Sequence, residues 1–324
     1  MPSRILLCLA LLAPAWAMAA DAVQWLQQMA RAVHELNYRG TFVYATPASL
    51  EAMRLVHRAG PEGGEQRLLA LSGAAREVIR DRQGVTCILP DSREVMVDTN
   101  LPHDLLPRDF PGDPQRLKAN YDFLLIGADR VAGRPCMVVA VRPRDRYRYG
   151  YRVWVDEASH LPLRFERLDA EGSPIERMMF TAIEVVERIE DRELLPSLSG
   201  EGFVRLGDGA DPGRIREEEE KTEPSWTVAW LPPGFELMHH SLHGMPTGHG
   251  RVEHLVYSDG LATLSVYVEQ AGRSHEHLEG LSSMGAVNAM GVMVDGHQIT
   301  VVGELPALTV QRVGESVRRL AATP

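Results

Sequence analysis

Arg39-Gly-Thr-Phe-Val-Tyr-Ala-Thr46 decides the fold class. It alternates around Phe42 and Tyr44, the period of a strand with one covered face. The residues before it follow another rule. From Asp21 to Asn37, Ala22, Leu26, Met29, Val33 and Leu36 recur at helical spacing, which predicts an amphipathic helix. A helix running straight into a strand is the start of an α+β domain. Further strand-like runs lie near 51–58, 65–72, 75–81, 84–90, 93–98, 121–128, 135–142, 148–156, 161–169 and 174–187. Short Gly, Pro or Asp turns separate most of them, so the spacing predicts one antiparallel meander rather than βαβ units. The stretch 100–116, rich in Pro and Asp, interrupts it and reads as a loop with a short helix.

Upstream of the helix, Met1 to Arg4 is a short positive region and Ile5 to Ala15 an apolar one. Ala17-Met-Ala19 is a small-x-small cleavage site. Residues 1–19 therefore read as a signal peptide. The apolar run is too short for a membrane span of about 20 residues. Cys8 follows Leu7, where a lipid anchor would need a small residue. The expected compartment is the periplasm of a Gram-negative bacterium.

Downstream of the meander, Pro196 to Pro224 carries five glycines and the acidic run Glu217 to Glu220. It reads as an extended linker, 196–224, between a domain over 20–195 and a smaller one over 225–324. In the second domain strands are expected near 235–243, 251–257, 261–269 and 297–302. A closing helix is expected with Thr309 as N-cap, a Leu308–Val313 staple, and Val310, Val313, Val317 and Leu320 as its buried stripe.

Of the 324 residues, 44% are hydrophobic and 24% charged, which excludes a rod or a wholly disordered chain. The formal net charge of −10 argues against nucleic acid as a partner. All but Lys118 and Lys221 of the 34 basic residues are arginine. Beyond the leader two cysteines remain. Cys87 and Cys136 can pair in an oxidising compartment, or sit as two buried thiols.

Catalytic signatures are missing. There is no G-x-S-x-G elbow, Walker A loop or S-x-x-K. His275-Glu-His-Leu-Glu279 has Glu where a zincin helix needs its second His. Gly200-Glu-Gly202-Phe-Val-Arg205 lacks the third glycine of a dinucleotide fingerprint. Eight of twelve histidines lie between His239 and His297. They have no cysteine partners and no recognised ligand spacing, so no metal or other cofactor is expected. Arg142, Arg144, Arg146, Arg148 and Arg152 interleave with Tyr147, Tyr149 and Tyr151. The stripe is either a solvated hairpin turning at Pro143-Arg-Asp-Arg146 or a contact for a lipid phosphate or an acidic partner segment, since guanidinium matches phosphate and carboxylate geometry.

Six segments together resemble one family. They are Tyr38-Arg-Gly-Thr-Phe-Val-Tyr44, Asp122 to Arg134 and Tyr147 to Asp156 with Leu161-Pro-Leu163. In the second domain they are Leu231-Pro-Pro-Gly-Phe235, Val256-Tyr-Ser-Asp-Gly-Leu261 and Thr300 to Pro306. The set is similar to the RseB/MucB family of periplasmic regulators of the extracytoplasmic stress sigma factor (sigma-E/AlgU). That resemblance implies an N-terminal open antiparallel half-barrel wrapped around helices, like the lipoprotein carriers LolA and LolB, plus a smaller C-terminal α/β domain. It implies a non-enzymatic negative regulator. Such a protein binds the periplasmic part of a membrane anti-sigma factor, protects it from site-1 proteolysis, and is released by lipopolysaccharide or mislocalised lipoprotein. Homo-oligomers are expected. The alternative is a plain periplasmic lipid or lipoprotein carrier. In either case the half-barrel should hold an acyl chain, with Trp25, Met29, Phe42 and Tyr44 as cavity residues.

Overall fold

The computed structural model describes residues 15–60, 64–82, 84–98, 117–207, 223–244, 251–270 and 278–320. The first fourteen residues of the expected leader, the 100–116 stretch and the acidic run at 217–220 lie outside them. α1 (Ala15–Glu35) buries Ala22, Leu26, Met29 and Val33, the stripe its spacing predicts. It ends two residues earlier than expected. Asn37 already opens β1 (Asn37–Ala45), where its amide donates to the Glu187 carbonyl and accepts from the Ala59 N–H.

All eleven expected strands form: β2 (Leu50–Arg58), β3 (Glu65–Ala70), β4 (Glu77–Asp81), β5 (Gly84–Leu89), β6 (Glu94–Asp98), β7 (Tyr121–Val131), β8 (Arg134–Pro143), β9 (Gly150–Asp156), β10 (Pro162–Leu168) and β11 (Pro174–Val186). Their order departs from a single meander. Among the described residues the sheet runs β6-β5-β4-β3-β2-β1-β11-β10-β9-β8-β7, with one further strand, β12 (Val204–Gly207), beyond β6. Two meanders are fused through the antiparallel β1/β11 pair, so β1 is central and β6 and β7 lie towards opposite ends. A hairpin rule pairs only neighbours in sequence, whereas β1/β11 joins residues about 140 apart. The sheet is open, with α1 packed on one face. Tyr38 and Phe42 of β1 and Phe180 of β11 meet Val33 there, and Phe123, Val139 and Val153 meet Leu26 and Met29.

Part of the expected linker is structured. After α2 (Asp191–Leu194), the carboxylate of Glu77 accepts the N–H groups of Ser197 (2.9 Å) and Leu198 (2.7 Å), with Arg67 Nε at 2.5 Å. β12 (Val204–Gly207) then joins β6 in parallel. The linker reading rested on glycine content, but Gly200 lies flat against Val95, where a Cβ would come within 2.7 Å of its Cγ2.

The second unit has a six-stranded antiparallel sheet, ordered β14-β15-β16-β19-β18-β17 among the described residues. Four of its strands were expected: β14 (Glu236–Gly244), β15 (Arg251–Ser258), β16 (Thr263–Gln270) and β19 (His297–Gly303). β17 (Gly280–Met284), β18 (Val287–Val294) and the pair β13 (Trp226–Val228) with β20 (Val317–Arg319) were not. β18 hides behind Gly291, whose missing Cβ leaves room for the Leu278 carbonyl. The closing helix also differs. α3 (Ala307–Gly314) starts after Pro306, whose carbonyl accepts the Thr309 and Val310 N–H groups. Val310 and Val313 are buried, while Val317 belongs to β20, and Leu308 and Leu320 are exposed. Thr309 is spent on another partner, described below.

Candidate functional site: the domain junction

The arginine stripe enters β9 from the β8–β9 turn, and the structure splits it. Arg142, Arg144 and Arg146 are exposed. Arg144 pairs with Asp122 at 2.7 Å, and Arg152 reaches Glu166 at 3.2 Å. Arg148 is fully buried and faces the second domain, so it is no contact for an incoming anion. This corrects the expectation for that residue. Strand alternation does not extend this far: Arg148 lies in the bend between β8 and β9, where period two does not apply and the pattern carries no information about what covers the residue.

Arg148 instead binds Asp259, in the turn between β15 and β16. Its Nη1 donates to Asp259 Oδ2 at 2.6 Å and its Nη2 to the Pro233 carbonyl at 2.6 Å. The rings of Tyr121 and Phe235 lie near its guanidinium, 5.3 and 5.4 Å from centroid to Cζ. Asp259 is saturated. Oδ2 also accepts the Tyr121 hydroxyl at 2.9 Å, and Oδ1 accepts the N–H groups of Leu261 and Ala262 at 2.9 and 2.8 Å. A buried ion pair is tolerable only with such further hydrogen bonds, because desolvating two charges costs several kcal/mol. Burial and the Asp259 charge push the Tyr121 hydroxyl pKa up, so it stays a donor.

Other contacts extend the junction on both sides. Thr309 Oγ1 donates to the Tyr147 carbonyl at 2.8 Å, and Arg312 donates to the Tyr147 hydroxyl at 2.8 Å while stacking on Trp230. Asn288 donates to the Tyr149 hydroxyl at 3.0 Å. The β17–β18 turn inserts Ala286, fully buried, among residues of the first domain, and its N–H meets Glu176. Arg167 spans Glu176 (2.7 Å) and Glu304 (2.6 Å). Gly234 sits at φ +84° against Asn120, where a Cβ would come within 2.2 Å of Nδ2. Gly234→Ala is expected to cost about 1–3 kcal/mol, from left-handed backbone and this clash together; an unchanged melting temperature would refute the close-approach reading.

Three second-domain segments singled out in the sequence meet here. Phe235 and the Pro233 carbonyl come from one, Asp259 and Leu261 from the next, and Glu304 from the third. Sequence reasoning missed Asp259 and Tyr121. The only local signal was an Asp-Gly turn in a segment with no catalytic role.

The remaining expected sites are placed as follows. Met29 and Phe42 are packed in the two core clusters of the first domain, and Trp25 and Tyr44 are half-buried beside them. None of the four lines either of two shallow concavities. One, of about 630 Å³, lies over β7 to β10 and the 168–172 turn, with Ala140, Arg142, Arg152 and Trp154 on its floor. Trp154 Nε1–H donates there to Asp129 at 2.7 Å, and Arg164 stacks on its ring. The other, of about 440 Å³, is lined by Arg39, Thr41, Arg54, Glu184 and Glu193. Cys87 and Cys136 are free thiols, on β5 and β8, with seven strands between them in the sheet order. Burial raises both pKa values, that of Cys136 to about 11. Among the described residues no three of His, Cys, Asp and Glu converge as metal ligands. His249, His275 and His277 lie outside them.

The MucB/RseB N-terminal domain matches residues 21–198, and the MucB/RseB C-terminal domain residues 220–318. The sigma factor AlgU regulatory protein MucB of Pseudomonas aeruginosa is 35% identical over 327 residues, covering 99% of this chain and 98% of that protein. The sigma-E factor regulatory protein RseB of Escherichia coli K12 is 32% identical over 305 residues, covering 92% and 90%. A crystal structure of MucB in complex with MucA(peri) superposes with a TM-score of 0.68 at 30% identity, covering 93% of this chain and all of that one.

Proposed function

Because the chain belongs to the MucB/RseB family, we propose that it is a periplasmic negative regulator of envelope-stress signalling. It binds the periplasmic part of a membrane anti-sigma factor and shields that factor from the first cut of its degradation. It lets go when lipopolysaccharide or mislocalised lipoprotein binds. The observation that carries this reading is the end-to-end likeness to MucB, solved with MucA(peri) bound. A periplasmic location is supported by the leader-like N-terminus and by the lack, among the described residues, of a helix long and apolar enough to cross a membrane.

Two tests bear on it. Deleting the gene should raise envelope-stress sigma activity under mild stress. The purified protein should capture the anti-sigma factor's periplasmic segment and slow its cleavage. No capture and no change in sigma activity would sink the proposal. A chain ending at Pro224 should lose capture, since it lacks every second-domain group at the junction; undiminished affinity would assign binding to the first domain alone.

We assign recognition of the anionic lipid signal to the exposed part of the stripe, Arg142, Arg144 and Arg146, beside the Tyr147–Arg312–Trp230 stack. Replacing the three with glutamine is expected to weaken lipopolysaccharide binding at low salt, with the difference fading as salt screens exposed charges over about 8–10 Å. Equal binding by a folded variant at low salt would return these arginines to a solvated turn.

A further inference from the structure

β12 is a strand out of keeping with its sheet. Among the described residues every other pairing in the first domain is antiparallel, whereas β12 runs parallel to β6, with Val204 beside Glu94 and Leu206 beside Met96. Parallel pairing is slightly less stable per residue. The strand adds little to the core: Val204 is 61% and Leu206 40% exposed. Backbone hydrogen bonds hold it, beginning with Val204 N–H to the Arg93 carbonyl at 2.9 Å, helped by Arg93 over the Phe203 ring. The chain before it is pinned separately, because the Glu77 carboxylate grips Ser197 and Leu198. Release of β12 would therefore leave the pinned segment in place and bare the edge of β6.

We propose that the β6 edge is a strand-accepting site and that β12 is its internal occupant. The external ligand would be an extended polypeptide segment of the same chemistry, an aromatic residue followed by alternating apolar ones, which adds beside β6 in place of β12. The seated strand displays what the seat accepts: main-chain pairing supplies affinity, and Arg93 selects the aromatic. Tethering gives β12 an effective concentration on the order of millimolar, so it shields the edge against weak strangers. An uncovered edge would be a template for aggregation. If the regulator reading holds, the ligand segment belongs to the anti-sigma factor, but the measurement below stands without it.

The probe is a fluorescein-labelled peptide with the sequence of Gly202 to Gly209, titrated against three full-length proteins. Val204→Pro with Leu206→Pro removes two N–H groups that period two aims at β6. Met96→Cys with Leu206→Cys, with Cys87 and Cys136 changed to alanine, locks β12 by a disulfide across a paired position. The expected result is binding by the proline variant, roughly tenfold or more weaker binding by the unaltered chain, and none by the oxidised lock. Should the proline variant fail to fold, reducing the locked protein must restore the unaltered level. No binding by a folded proline variant, or identical binding by oxidised and reduced lock, would overturn the proposal.

Discussion

Asp259→Ala is expected to cost about 3–5 kcal/mol, the range for removing one partner of a buried ion pair. The loss exceeds one ion pair. Arg148 keeps the Pro233 carbonyl and the more exposed Asp145 at 3.3 Å but loses its buried counter-charge, the Tyr121 hydroxyl loses its acceptor, and two turn N–H groups lose theirs. The charged group then either stays buried or draws water into the junction. Arg148→Met paired with Asp259→Leu should recover only the part of the loss due to the uncompensated charge, because the Tyr121 hydroxyl and the Leu261 and Ala262 N–H groups still lack their acceptor. Chemical denaturation of the single and double variants checks this. A single change costing under about 1 kcal/mol, the range of an exposed pair, would mean the junction is not closed in solution.

The second large effect concerns acid and the Glu77 clamp. Burial alone would raise the Glu77 pKa, but the N–H groups of Leu198 and Ser197 and the Arg67 guanidinium outweigh it, and the carboxyl is held below its usual range. Asp156 is held low in the same way, its burial outweighed by Arg134 and Ser159. A carboxyl with a depressed folded pKa adds stability that is fully present above its unfolded value, about 4.3 for Glu and 3.9 for Asp. That stability fades as pH falls through the folded value. The contribution of these two carboxyls should therefore be constant from neutrality to about pH 5 and fall below it. Glu77→Gln offers one acceptor oxygen where two are used and loses the charge facing Arg67. It should cost about 3 kcal/mol at neutral pH and flatten the acid limb. Amide exchange at Ser197 and Leu198 should speed up in this variant alone. An acid limb of unchanged slope would move the acid sensitivity to other carboxylates.

What was legible in the sequence was local. Period-two alternation in stretches such as Arg39 to Thr46 is imposed by one covered face, so each strand of the first domain announces itself within eight or so residues. The helix before β1 does the same at its own period. Glycine misled in both directions. Gly200 and Gly202 suggested a free linker where Gly200 lies flat on Val95, and Gly291 concealed β18 because its lack of a side chain serves a neighbouring carbonyl.

The site was legible only as a set of segments without roles. Tyr147, Arg148 and Asp259 stood in stretches that marked the family, yet alternation alone made Arg148 an exposed member of a cationic stripe. Its fate depends on Asp259, 111 residues further on, and on a second domain laid over that face. The fusion of two meanders through β1 and β11 is of the same kind. A strand's edge hydrogen-bonds any strand equally well, so which one it meets is settled by how the whole open sheet packs on α1. Residue pattern determines which faces must be covered; what covers them is decided when distant segments compete for the same surface, and only the folded molecule records the outcome.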